Sequence, residues 1–198
     1  MAARSSRPVL RALVLDMDGT LTLPGAIDFA RMRARLGLPY PRDIIAHVEA
    51  APTAAERAAR AAVVEDEEAR GAARLALAPD LGVLAAFVAA RPALRVALLT
   101  RNNAAVAAAG AAAVRGGAGG GGGGLRLDAV RSREWSGGPP KPHPAALLAW
   151  AAEWRVAPAE MAMVGDALDD VAAGRAAGAR ARARADAHGP RRVARGGV

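Results

Sequence analysis

Four short segments hold the side chains best suited to chemistry: Asp16-Met17-Asp18-Gly19-Thr20, Thr100-Arg101-Asn102-Asn103, Lys141-Pro142-His143-Pro144 and Gly165-Asp166-Ala167-Leu168-Asp169-Asp170. Gathered in one cleft, their carboxylates would repel and raise one another's pKa values. A hard divalent cation removes that conflict, and a donor set made only of oxygen suits magnesium. Such a cation asks for an anionic oxygen to complete its shell, and phosphate supplies one. Thr100 and turn N–H groups can donate to phosphoryl oxygens, and Lys141 brings a compact positive charge. One carboxylate can attack phosphorus to give an aspartyl phosphate, while the carboxyl two residues later protonates the leaving oxygen. Asp18 is expected just past the strand, where the Asp- and Gly-rich turn re-aims it.

The elements that would position these groups are legible. Residues 9–16 (VLRALVLD), 94–100 (LRVALLT), 125–130 (LRLDAV) and 160–165 (EMAMVG) are short apolar runs that read as buried strands. Between them lie helical patterns: about 27–77 in pieces, 80–90, 102–114, 145–154 with Trp150 and Trp154 on one face, and a last helix closing on Gly178. Thr53-Ala54-Ala55-Glu56 has the form of a capping box. This alternation predicts an α/β fold: a Rossmann-like three-layer domain with a parallel sheet, plus a small all-helical insert. In such a sheet the carboxyl ends of the strands line one crevice, which is where all four segments fall. Residues 9–20 and 80–180 form the expected core and 21–79 the expected cap. Residues 116–124, eight glycines and one alanine, form a flexible loop. After Gly178 no apolar run follows. Either the sheet lacks one good strand or the chain is disordered there, and 181–198 is taken as a disordered basic tail.

Composition narrows the classes. Of 198 residues 55 are alanine, so the 53% hydrophobic content overstates the core, which suffices for one domain with a small insert. No apolar run is long enough to cross a bilayer. With no cysteine, disulfides, thiol catalysis and cysteine-bound zinc are excluded. The net charge of +8 is concentrated at the two ends, with few aromatics to stack bases. Nucleic acid is therefore expected to meet the chain only through non-specific contact of the arginine-rich tail. The short Arg/Ser-rich start leaves no room for a removable targeting peptide before the first strand, so a cytoplasmic location is expected. Among 26 arginines there is one lysine, Lys141, and the two asparagines are Asn102 and Asn103. A composition that strips these types elsewhere marks the survivors as hard to replace.

In this order and at these strand ends, DMDGTLT, LLT, KP and VGDALDD resemble the haloacid dehalogenase superfamily of phosphohydrolases. The resemblance spans about 9–179. It implies Asp16 as nucleophile and Asp18 as general acid/base. It implies magnesium held by Asp16, the backbone carbonyl of Asp18 and Asp166, with Gly19 and Thr20 completing the first motif. It implies phosphoryl binding by Thr100, Asn102 and Lys141, with Lys141 also held by Asp170. Arg101 stands where many members have asparagine and joins the candidate substrate contacts. The activity implied is a magnesium-dependent phosphatase acting on a small phosphorylated metabolite. A phosphomutase, or a weakly catalytic binding protein using the basic tail, are the alternatives.

Other readings compete for single residues. A calcium loop starting at Asp16 would need glycine and glutamate where Leu21 and Ile27 stand. Asp169 fits an ordinary first helical turn, Asn103 a cap, His143 a loop between prolines, and Glu65–Glu68 a solvated helix face.

Overall fold

Five parallel strands make one sheet: β1 (Ala12–Leu15), β2 (Arg95–Leu99), β3 (Ala129–Arg131), β4 (Met161–Gly165) and β5 (Arg180–Ala183), in the order β3-β2-β1-β4-β5. The computed structural model describes residues 9–117 and 123–184. Period-two alternation sorts the strand side chains onto two faces. Leu13 and Leu15 of β1 join Leu81 and Val88 of helix α4 (Leu81–Ala89) and Val106 and Val114 of α5 (Ala104–Gly116). Ala12 and Val14 join Leu147 and Trp150 of α6 (Ala145–Trp154) and Ala173 of α7 (Leu168–Ala176) on the other face. Trp150 is fully buried and stacks on Trp154 with ring centroids 5.6 Å apart, as their i, i+4 spacing suggested. The result is the three-layer α/β architecture expected from the alternation.

Between β1 and α4 three helices are inserted: α1 (Phe29–Leu36), α2 (Ile44–Glu49) and α3 (Ala54–Ala72). Each starts at a polar cap: Asp28 accepts from Arg31 N–H, Asp43 from Ala46 N–H and Thr53 from Glu56 N–H. The capping box at Thr53 is half made, because the Glu56 carboxylate turns onto the Thr53 hydroxyl at 3.0 Å. The insert buries its own small cluster of Ile27, Met32 and Val64. It is entered and left by two strands of chain lying side by side, with Leu23 N–H on the Ala76 carbonyl and Ala78 N–H on that of Leu21.

Two strand expectations need correction. The third strand was placed at 125–130, but β3 spans Ala129–Arg131. Leu125 and Leu127 are buried under the sheet, and the Asp128 carboxylate takes the Val96 N–H at 2.8 Å, so regular pairing begins only at Ala129. The tail was expected from residue 181, yet Arg180–Ala183 is β5, paired with Ala162–Gly165. An edge strand needs hydrogen bonds on one side only, and alanine is enough apolar bulk here. Gly174 of α7 sits so close that an added Cβ would meet Ala181 and Met163 at 2.9 Å. Residues 185–198, the rest of the expected tail, and most of the glycine loop lie outside the described residues. No helix among the described residues is long and apolar enough to cross a membrane.

Candidate active site

The strand order reverses at β1, whose neighbours are β2 and β4, so the crevice opens at the carboxyl ends of these three strands. Asp16 follows β1 directly, and its N–H donates to the Val164 carbonyl at 2.9 Å, pinning β1 to β4 at the rim. The chain then wraps around one acceptor: the N–H groups of Thr20, Leu21 and Thr22 and the Thr22 hydroxyl all reach the Met17 carbonyl at 2.9–3.2 Å. Gly19 sits at φ +77°, and a Cβ there would lie 2.2 Å from Asp166 Oδ2. Only glycine lets this turn lie against the acidic segment after β4. Thr20 is buried, and its hydroxyl has no partner among the described residues.

Lys141 is the hub. Its ammonium donates to Asp16 Oδ1 at 2.5 Å, Asp170 Oδ1 at 2.6 Å and the Leu99 carbonyl at 3.0 Å, so all three donors are used. Asp170, almost fully buried, also accepts from Ala167 N–H at 3.0 Å. Thr100 directly follows β2 and has a buried hydroxyl that accepts from Asn102 N–H at 3.1 Å. Asn102 in turn donates through Nδ2 to Asp18 Oδ2 at 2.6 Å, which fixes the aim of that carboxyl. Asp16, Asp166 and Asp170 can each bring an oxygen within 4.8 Å of the others. Three carboxylate oxygens form a hard donor set that fits magnesium. Asp170 is the member already committed to Lys141 and the Ala167 N–H. The Asp18 carboxylate is outside this group.

The electrostatics follow from crowding. Burial pushes the Asp16 carboxyl up to about 7, with Lys141 opposing the rise and Asp170 adding to it; a bound cation would lower it. Burial also raises Asp18, against the Asn102 hydrogen bond. Burial works against the Lys141 charge, but Asp16 and Asp170 together hold the ammonium above its usual range.

Above the strand ends a cavity of about 570 Å³ is closed on its far side by α1, α2 and α3, and it is lined by both halves of the fold. Arg101 lines it too, but its guanidinium bridges Asp43 on the insert and, at 3.0 Å, Asp169 on α7. Asp169, read as an ordinary first-turn residue, thereby gains a partner, and Arg101 is a bridge between the domain's halves. Asn103 caps α5 through Val106 N–H and also donates to Glu68 at 2.7 Å. The acidic run is a solvated face only at Glu65 and, in part, Asp66. Glu67 is fully buried against Arg31 and Arg35, and Glu68 is buried against Arg133 at 2.6 Å. Asp43, Glu68 and Arg133 were missed as cavity residues. Val64, Glu68 and Gly71 recur at helical spacing on one buried stripe of α3, and that periodicity was the available signal. His143 accepts from Ala145 N–H in its loop, as expected of a structural residue.

The family model of haloacid dehalogenase-like hydrolases matches residues 10–178. A haloacid dehalogenase-like hydrolase domain-containing protein of Arabidopsis thaliana is 34% identical over 183 residues, covering 86% of this chain and 69% of that protein. A hydrolase of Saccharomyces cerevisiae is 32% identical over 170 residues, covering 85% of this chain and 74% of that one. Among solved structures, a phosphonoacetaldehyde hydrolase-like protein from Oleispira antarctica superposes with a TM-score of 0.70 at 16% identity, covering 94% of this chain and 76% of that chain.

Proposed function

We propose that this chain, which belongs to the haloacid dehalogenase-like hydrolases, is a magnesium-dependent phosphatase of a small phosphorylated metabolite. The observation that carries the reading is the buried Lys141 ammonium clamped between Asp16 and Asp170 at the floor of a cavity. A lysine so placed neutralises a nucleophilic carboxylate and offers charge to a phosphoryl group beside it. The Asp16 carboxylate attacks phosphorus in line with the ester oxygen, giving an aspartyl phosphate. Asp18, kept protonated more readily by burial and aimed by Asn102, gives its proton to the departing oxygen. It then takes a proton from the water that hydrolyses the intermediate. Thr100 and the turn N–H groups donate to the phosphoryl oxygens. Magnesium, held by Asp16, Asp166 and the carbonyl of Asp18, would offset the charge of the carboxylates and the phosphoryl group. The helices of 21–79 act as a cap that shields the site from water.

Phosphonate cleavage through a Schiff base needs an amine free to attack a carbonyl, and the chain's one lysine is locked between two carboxylates. Dehalogenation has no use for Asp18. The test is hydrolysis of 4-nitrophenyl phosphate with magnesium and with chelator. Metal-dependent turnover is expected, lost in a folded Asp16→Asn variant. Asp18→Asn is expected to slow alkyl phosphates more than aryl ones, whose leaving groups need less protonation. No turnover by the native chain would leave the binding-protein alternative standing.

A further inference from the structure

Away from the strand-end carboxylates, the two core guanidinium groups that face the cavity are matched by acids. Arg101, reaching up from the core, is shared by two carboxylates, Asp43 and Asp169, so this corner carries a surplus of negative charge. Arg133, the other core guanidinium facing the cavity, is matched by Glu68, which also takes Asn103. Asp28 faces the same space while capping α1. Of the remaining cations, Arg33 donates to the Arg42 carbonyl and lies over the Tyr40 ring, while Arg74 donates to the carbonyls of Arg70 and Ala26. Four guanidinium groups and four carboxylates thus balance in formal charge, with Arg33 and Arg74 held by carbonyls and a ring and not by acids. The rest of the upper wall is apolar, including Ile27, Phe29, Ile44 and Ile45. A site built to hold a second phosphate or carboxylate would leave net positive charge there.

We propose that Asp43 and Glu68 are specificity-determining residues: by occupying Arg101 and Arg133 they stand where a second anion of the substrate would bind. The site therefore selects phosphomonoesters whose alcohol is uncharged and discriminates against esters carrying another anionic group. This rests on the phosphatase reading and adds the class of leaving group to it. Binding a second anion would have to displace a carboxylate already in place, or sit beside it unpaired.

The test compares phenyl phosphate with 4-carboxyphenyl phosphate, matched except for one carboxylate, in the native chain, Asp43→Asn and Glu68→Gln. Asparagine keeps the acceptor that caps α2 through Ala46 N–H while giving up the Arg101 bond. Glutamine keeps one acceptor oxygen, enough for Asn103, while its NH2 group gives up the Arg133 pair. Each variant thus frees its guanidinium without removing the side chain. The native chain is expected to prefer the uncharged ester by tenfold or more in kcat/KM. Either variant is expected to narrow that ratio at least fivefold, a change that loss of packing alone would not produce. Equal use of both esters by the native chain, or a ratio unmoved by both substitutions, overturns the proposal. If neither ester is hydrolysed, the phosphatase reading fails, and calorimetry with phenylphosphonate and 4-carboxyphenylphosphonate decides this one separately. Preferential binding of the uncharged phosphonate that weakens in the variants supports it. Equal binding, or none, overturns it.

Discussion

Lys141 is the residue whose chemistry is least exchangeable. A surface lysine tolerates arginine within about 0.5 kcal/mol, and in this arginine-rich chain arginine would be the default. Here an ammonium fits between Asp16, Asp170 and the Leu99 carbonyl, all within 3.0 Å of Nζ. A planar guanidinium is larger and prefers a two-pronged partner. Lys141→Arg is expected to lower kcat/KM about 100-fold or more, roughly 3 kcal/mol of transition-state stabilisation. Steady-state kinetics on an aryl phosphate checks this, and near-normal turnover would remove Lys141 from the phosphate site.

At the scale of single elements, α3 and β5 are the instructive pair. In α3, Glu67 is held below the usual carboxylate range chiefly by the Arg31 hydrogen bond and secondarily by Arg35. A carboxyl depressed on folding stabilises the native state above its unfolded value, near 4.5. That contribution is lost as pH falls through the lower folded value. Glu67→Gln is therefore expected to flatten the acid limb of a stability-against-pH curve below about 4.5, leaving its slope near neutrality unchanged. Urea unfolding at a series of pH values reads this directly. For β5 the expectation concerns truncation. A chain ending at Arg184 keeps the strand, its pairing with β4 and the Arg184 bonds to the Thr20 carbonyl and Asp80. A chain ending at Ala179 loses all of them, and its Tm should fall below that of the first by roughly 10 °C or more. Equal melting of the two would mean that β5 contributes little to the sheet.

For the whole molecule, the insert and the core are joined covalently only through the paired segments 21–23 and 76–78, and polar bridges span the cavity besides. The buried bridge matters most, since Glu68 loses water on folding and burial already raises its carboxyl against the pull of Arg133. Removing one member of such a pair strands the other's charge. Arg133→Ala is expected to cost about 2–3 kcal/mol, and adding Glu68→Gln should recover much of that loss. Additive penalties in the double variant would show that the two side chains are not energetically coupled.

Local chemistry alone made the apolar sheet strands, two of the helix caps and the four strand-end motifs readable. Apolar runs, Thr53 and Asn103 as caps, and Gly19 directly after Asp18 act within a few residues of chain. The parallel α/β class followed from their alternation, and the family followed from the motifs. What stayed hidden depends on partners distant in sequence. Arg180–Ala183 becomes a strand only because β4 supplies hydrogen bonds and Gly174 leaves room for Ala181. Glu67 and Glu68 look like solvent-facing charges until Arg31, Arg35 and Arg133 are brought against them. The bridge that Arg101 makes to Asp43 and Asp169, 58 and 68 residues away, is likewise invisible along the chain. Burial with a paired charge is a property of the assembled fold, and no local pattern of residues encodes it.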